Sequence, residues 1–369
     1  MRSQVAFAAL LGMGFALALP APAALAYTAF VTNEKDNSVS VIDTEKLEVV
    51  KTFPVGQRPR GIILSNDGKW LIVCTSDDNI IQVYDTKTFE MVKTLPSGPD
   101  PELHVLHPSG NPLYVANEDD NLVTVVDIQS GKVIGDIPVG VEPEGMGMSP
   151  DGKVLVNTSE TTNMAHFIDT TTHKTFDNVL VDSRPRVAIF NPAGTQLWVS
   201  SEIGGTVTVI NPADRKVIKK IGFEIPGITK EAIQPVGVRI TPDGKTAFVA
   251  LGPANRVAVI DTTTFEVIKY LLVGQRVWQL ALTPDGKTAF VALGPANRVA
   301  VIDTTTFEVI KYLLVGQRVW QLALTPDGKQ LLTTNGASND VSVIDVAALK
   351  VIKSIRTGRY PWGVVVAPF

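Results

Sequence analysis

The residues best suited to chemistry in this 369-residue chain sit in eight short turns, spaced by 42 residues and once by 50. In order they read Arg58-Pro59-Arg60, Asp100-Pro101-Glu102, Glu142-Pro143-Glu144, Arg184-Pro185-Arg186, Gln234-Pro235-Val236, Arg276-Val277-Trp278, Arg318-Val319-Trp320 and Tyr360-Pro361-Trp362. Turn geometry alone does not require this variety. Arg forks and Trp faces suit planar, anionic or protein partners. The alternative is that neighbouring Arg and carboxylate groups simply pair as structural ion pairs. Asp100, Glu102, Glu142 and Glu144 are oxygen donors of the kind that a hard cation such as Ca²⁺ takes. No EF-hand-like loop accompanies them, and no cofactor is evident in the sequence.

These turns are positioned by a repeat. Residues 241–282 recur letter for letter as 283–324, and looser copies fill the rest of the chain from Tyr27 onward. Each unit alternates short Val/Ile-rich segments with polar turns, one segment ending at Asp43, Asp85, Asp127, Asp169, Asn211, Asp261, Asp303 or Asp345. Periods of 20–50 residues mean stacked supersecondary units, and short strands between Gly, Pro, Asn and Asp turns are an all-β signature. Several segments read as apolar on both faces, as in Leu271–Val273 and Gly363–Val366. Four strands per unit and eight units predict an all-β fold over residues 27–369: a single β-propeller of eight four-stranded blades, or seven if one copy is not accommodated. Because the repeat opens on the second strand of a unit and finishes on a first-type strand, the ring is predicted to close through strands from both termini.

In such a meander successive turns fall on opposite ends of a blade. One end collects monotonous Pro-Asp-Gly and Asp-Thr turns, ordinary turn chemistry. The other collects the varied turns, so two acidic blades lie between two Arg-Pro-Arg blades and the Trp residues share the remaining arc. Glu118, Glu160 and Glu202 follow the second strand of three consecutive units; they either continue the acidic patch or are solvated loop carboxylates, the commoner outcome. The extra residues in 223–233 either cover the channel or pack on the next blade. Among the histidines, His104, His107, His166 and His173 show no tight metal spacing, and His166, beside Asn163 and Met164, is put forward as a polar site residue.

Residues 1–26 read as a cleavable export signal: Arg2, an apolar run from Val5 to Leu19, and Ala24-Leu25-Ala26. That predicts a periplasmic protein with no membrane span once the signal is removed. The net charge is −4, and loss of Arg2 makes it −5, which gives no reason to expect nucleic acid or an anionic membrane as partner. Cys74 is the one cysteine, so no disulfide is expected.

Phe30-Val31-Thr32-Asn33 with Val39-Ser40-Val41-Ile42-Asp43 resembles the YVTN-type propeller repeat. Val55–Gly61, Ser97–Glu102, Thr158–His166, Ser200–Thr206 and Gly358–Gly363 extend the likeness to PQQ-dependent-catabolism-associated β-propeller proteins. The resemblance covers nearly the whole chain after the signal. It implies a periplasmic protein encoded beside PQQ-dependent alcohol oxidation and transport, with any PQQ association made through partners, and it implies no established activity. The family pattern has seven repeats and this chain eight. Covalent-haem, nucleophile-elbow and phosphate-loop motifs are missing from the sequence. The reading is a non-catalytic binding or accessory protein recognising a periplasmic protein or small anionic ligand, such as a PQQ-dependent dehydrogenase or associated transport component. Its rivals are a lactonase-like metal-dependent hydrolase and a structural scaffold without a pocket.

Overall fold

Strands form here because Val, Ile, Thr and Phe alternate between turn residues, and the pairing is uniformly antiparallel between consecutive segments. The computed structural model describes residues 27–368, and the export signal expected over residues 1–26 lies outside them. Each of the eight sheets has four strands. We number the blades from the one whose innermost strand is Pro59–Leu64; the inner strands of blades 2 to 7 start at Pro101, Pro143, Pro185, Pro235, Val277 and Val319. Blade 8 takes its inner strand, Pro361–Pro368, from the end of the chain and its other three, Tyr27–Asn33, Ser38–Asp43 and Glu48–Pro54, from the beginning. Phe30 pairs with Val365 and Val31 with Val364 across that closure. The copied segment is therefore accommodated as a blade of its own, and the ring closes at eight.

Successive inner strands lie side by side around the whole ring, blade 8 touching both blade 7 and blade 1. The described residues contain eight apolar clusters, one at each blade–blade interface. Strand alternation explains this arrangement. In Tyr27–Asn33, Phe30 packs toward blade 1 while Ala29 and Val31 pack toward blade 7. A strand between two blades needs apolar residues on both faces, as the middle strands have. Leu271–Val273 departs from that reading: Leu272 is 62% exposed, because Val267–Leu272 is the outermost strand of its blade.

The monotonous end behaves as turn chemistry. The Asp261 carboxylate accepts N–H bonds from Thr263 at 2.7 Å and Thr264 at 2.8 Å, and Asp43, Asp85, Asp169 and Asp303 do the same in their own turns. Replacing Asp261 by Ala is expected to cost about 1 kcal/mol, the net value of one or two such bonds, read as a lowered urea midpoint. A loss below a few tenths would mean that the turn holds without its cap.

Residues 223–233 pack rather than cover. Phe223, Ile225 and Ile233 are buried in the cluster between blades 4 and 5. Cys74 is fully buried, its sulfur 2.9 Å from His104 Nδ1, and burial pushes its thiol well above the ordinary range. Among the described residues no helix is long and apolar enough to cross a membrane.

Candidate functional site at the mouth of the channel

The second residue of every inner strand occupies one equivalent level of the ring. Around it, from blade 1 to blade 8, stand Arg60, Glu102, Glu144, Arg186, Val236, Trp278, Trp320 and Trp362. All eight line a single cavity of about 860 Å³. A second level is set by the residue after each second strand: Ser76, Glu118, Glu160, Glu202, Gly252, Gly294, Gly336 and, in blade 8, Glu34. Strand pairing puts the two levels together, because the start of each inner strand lies opposite the end of the second strand, as Pro101 lies opposite Asn117.

The residue preceding each inner strand is held in the left-handed region in all eight blades. These are Arg58 (φ 51°), Asp100 (48°), Glu142 (57°), Arg184 (58°), Gln234 (42°), Arg276 (49°), Arg318 (60°) and Tyr360 (58°). An Asn side chain from the preceding blade accepts the N–H of most of them: Asn37 at Arg58, Asn79 at Asp100, Asn163 at Arg184, Asn255 at Arg276, Asn297 at Arg318 and Asn339 at Tyr360. Glycine would occupy this conformation without steric cost. Side chains also hold this conformation in the turns of the opposite end, as at Leu47, Phe89, Phe265, Phe307 and Leu349, so it belongs to the repeat as a whole.

From blade 8 to blade 4 the mouth is a continuous chain of charges. Arg60 lies 3.2 Å from Glu34 and 2.6 Å from Glu102, and Arg58 bonds both oxygens of Asp100 at 3.2 Å. Arg186 reaches Glu144 at 3.3 Å and Glu202 at 3.6 Å and contacts Glu160 directly. Arg184 lies 2.7 Å from Glu160 and 3.5 Å from Glu202. The charge-divided rim read from the sequence thus resolves largely into cross-blade ion pairs. Glu160 and Glu202 are buried beneath those arginines, 7% and 6% exposed, so the expectation of solvated loop carboxylates does not hold for them.

Between the two paired arginines, Glu102, Glu118 and Glu144 bring one oxygen each within 4.8 Å of the others. Glu118 has no cationic partner among the described residues. Burial, then a hydrogen bond with Glu102 and the surrounding negative charge, push its carboxyl up to about 9. Glu144 is pushed up to about 8 by burial, with Arg186 opposing the shift and Glu102 and Glu160 reinforcing it. Arg186 stands beside Glu144 and opposes its shift, whereas Glu118 has no such partner and is raised further.

The other arc is aromatic. The Arg318 guanidinium lies 4.6 Å from the Trp320 ring centre, Arg276 lies 6.0 Å from Trp278, and Arg60 lies 5.9 Å from Trp362. Arg186 also approaches Trp278, at 5.6 Å, across blade 5, where Val236 leaves room. Here the second level is glycine: a Cβ on Gly336 would stand 2.4 Å from Trp320 Nε1. The indole fits only because the side chain is missing.

The remaining residues read from the sequence fall outside the lining. Glu142 is exposed and accepts the Thr161 hydroxyl. Gln234 donates to the Glu231 carbonyl at 3.1 Å, and Tyr360 lies beneath Lys35 at 3.9 Å. His166 is buried in the third strand of blade 3, its Nε2 accepting the Gly140 N–H at 2.9 Å and its Nδ1 bonded with Asn178. That satisfied environment is a structural one. Missed in the sequence were Gln279, Gln321 and the glycines Gly252, Gly294 and Gly336; only their recurrence at one position of the repeat could have marked them.

A ring of four-stranded meander blades with its varied level at one mouth defines a β-propeller protein. Partial matches agree with that class: the chain matches the Choice-of-anchor I domain over residues 121–282, and a WD domain, G-beta repeat, over residues 49–85. No curated protein sequence matches the chain. Among solved structures it is similar to Kuenenia stuttgartiensis hydrazine synthase, with TM-score 0.65 and 24% identity over 78% of this chain and 96% of that one. It is also similar to the dihydro-heme d1 dehydrogenase NirN in complex with DHE, with TM-score 0.76 and 17% identity over 92% of this chain and 74% of that one. A functionally unknown protein from Desulfotomaculum acetoxidans aligns at TM-score 0.64 and 14% identity, over 92% of this chain and 99% of that one. At these identities the likeness is one of fold.

Proposed function

We propose that this is a periplasmic binding protein linked to PQQ-dependent alcohol oxidation, which recognises a partner protein or small ligand at the mouth cavity. One observation carries the binding role. A single structural level, repeated in eight blades, is filled by Arg, Glu, Val and Trp in an order that turn geometry does not require, and it lines a cavity of about 860 Å³. That volume is the size of small-molecule sites. Export and the PQQ link rest on the signal-like residues 1–26 and on the resemblance of the loops.

The test is affinity capture from the periplasm of alcohol-grown cells, comparing the wild type with the Trp278→Leu/Trp362→Leu double variant. The wild type is expected to retain a PQQ-dependent dehydrogenase, an associated transport component or PQQ itself, and the variant to lose it. Equal capture by a folded variant would overturn the assignment of the mouth.

The juxtaposition of Glu102, Glu118 and Glu144 favours a second reading, a lactonase-like hydrolase with a hard cation held by these carboxylates. The three oxygens are close enough to share an ion, and each is a hard donor. Stoichiometric Ca²⁺ in the purified protein and lactone turnover abolished by Glu102→Gln would establish that reading in place of the first.

A further inference from the structure

We infer that the aromatic arc of blades 6 to 8 is a subsite for a planar aromatic anion, to which the copied segment supplies a second Arg–Trp–Gln set. The inference deepens the binding role proposed above and rests on it. Arg276, Trp278 and Gln279 in blade 6 and Arg318, Trp320 and Gln321 in blade 7 all line the cavity.

Three observations separate this arc from the rest of the mouth. First, Arg58, Arg60, Arg184 and Arg186 are all engaged by carboxylates, whereas Arg276 and Arg318 have no ion pair among the described residues. Their guanidinium groups are exposed and lie over their own tryptophans. Second, the level that carries Glu34, Glu118, Glu160 and Glu202 elsewhere is glycine at positions 252, 294 and 336, so no carboxylate from that level neutralises the two arginines. Third, Trp320 Nε1 and Gln279 Oε1 have no hydrogen-bond partner among the described residues.

The chemistry follows from these groups. Indole faces give dispersion contact to a flat ring and tolerate its substituents. A guanidinium held against an aromatic face keeps its edge free for bidentate bonding to a carboxylate. The carboxylate arc opposite, with Glu102 and Glu144 on the same cavity, repels a second anionic group placed there. An aromatic acid is thereby oriented, its ring on the tryptophans and its charge toward Arg276 and Arg318.

2-Naphthoate is the probe, titrated calorimetrically into the full ring, with its methyl ester and cyclohexanecarboxylate as neutral and non-aromatic comparisons. The naphthoate is expected to bind, with both comparisons weaker by about tenfold or more. Arg276→Gln/Arg318→Gln is expected to weaken binding about tenfold, each single variant falling between. Deletion of residues 283–324, one whole period, is expected to weaken it similarly. Circular dichroism establishes that each variant is folded, and the two single substitutions keep the test decisive if the deletion fails to fold. Equal binding of the ester, or an unchanged double Arg variant, would overturn the subsite. If the naphthoate binds as expected while nothing of the PQQ system is captured, the functional assignment falls and the subsite stands. Capture that survives in the double Arg variant, with naphthoate binding also unchanged in it, gives the reverse.

Discussion

Arg186→Leu is expected to destabilise the ring by about 3–5 kcal/mol, the range for removing one partner of a buried ion pair. The guanidinium is 15% exposed and serves Glu144, Glu160 and Glu202 together. Without it Glu144 loses its cation, and Glu160 and Glu202 keep only the more exposed Arg184, all in one poorly hydrated corner of blades 3 and 4. Leucine fills the volume but does nothing for their charge, so the cost is electrostatic rather than a cavity. Adding Glu160→Gln to the variant is expected to recover part of the loss, because it removes one of the stranded charges. Urea unfolding of the single and double variants measures both quantities. A loss under about 1 kcal/mol would place this cluster with exposed surface pairs, which contribute little.

The second large effect is a dependence on pH located at Glu118. Its carboxyl is raised from the ordinary 4.5 to about 9 in the folded protein. Between those values the native state holds a proton that the unfolded chain releases, so stability falls as pH rises through the window. Below about 4.5 the group contributes no penalty, and above about 9 the penalty is complete. Glu118→Gln is expected to flatten this slope, adding about 1–2 kcal/mol at pH 9 and almost nothing at pH 5, solvent screening of a part-buried group having reduced the figure. Parallel profiles of melting temperature against pH for the two proteins would refute the placement of the proton. At the other extreme, the turn aspartates work in the opposite sense. Asp67, pushed down to about 2 chiefly by its hydrogen bond with Ser65, favours folding above the ordinary carboxylate range and loses that contribution as acid protonates it.

How much of this could be read from the letters follows from what each level of the repeat is asked to do. Blade number and closure were legible because Asp43 and its counterparts mark the end of a strand whatever surrounds them. The varied mouth was legible because Arg60, Glu102 and Trp362 differ where their neighbours repeat. Pairing between like turns stood among the readings of the letters and holds for Arg60 with Glu102 and Arg186 with Glu144, each 42 residues apart; the pairs of Arg186 with Glu160 and Glu202 join different levels of the repeat and were not legible. For the same reason Glu160 seemed a loop carboxylate in isolation, although the structure buries it beneath two arginines. Glycines such as Gly336 carry no signal of their own in the letters, because what requires them is the Trp320 indole lying against the backbone. His166 attracted notice by its polar company, and that company is what satisfies it.

The join between the first and last described strands has a kinetic meaning. Thr32 and Gly363 hydrogen-bond across blade 8 although 331 residues separate them in the chain. Contacts of such separation form slowly, because a long loop must close before they return anything. Until Pro361–Pro368 arrives, the strand Tyr27–Asn33 keeps one edge unpaired, and an unpaired edge is a template for a foreign strand. A nascent or partly unfolded chain of this protein is therefore vulnerable at its beginning for as long as its end is unavailable, and a peptide copying residues 361–368 should act as a trap for that state.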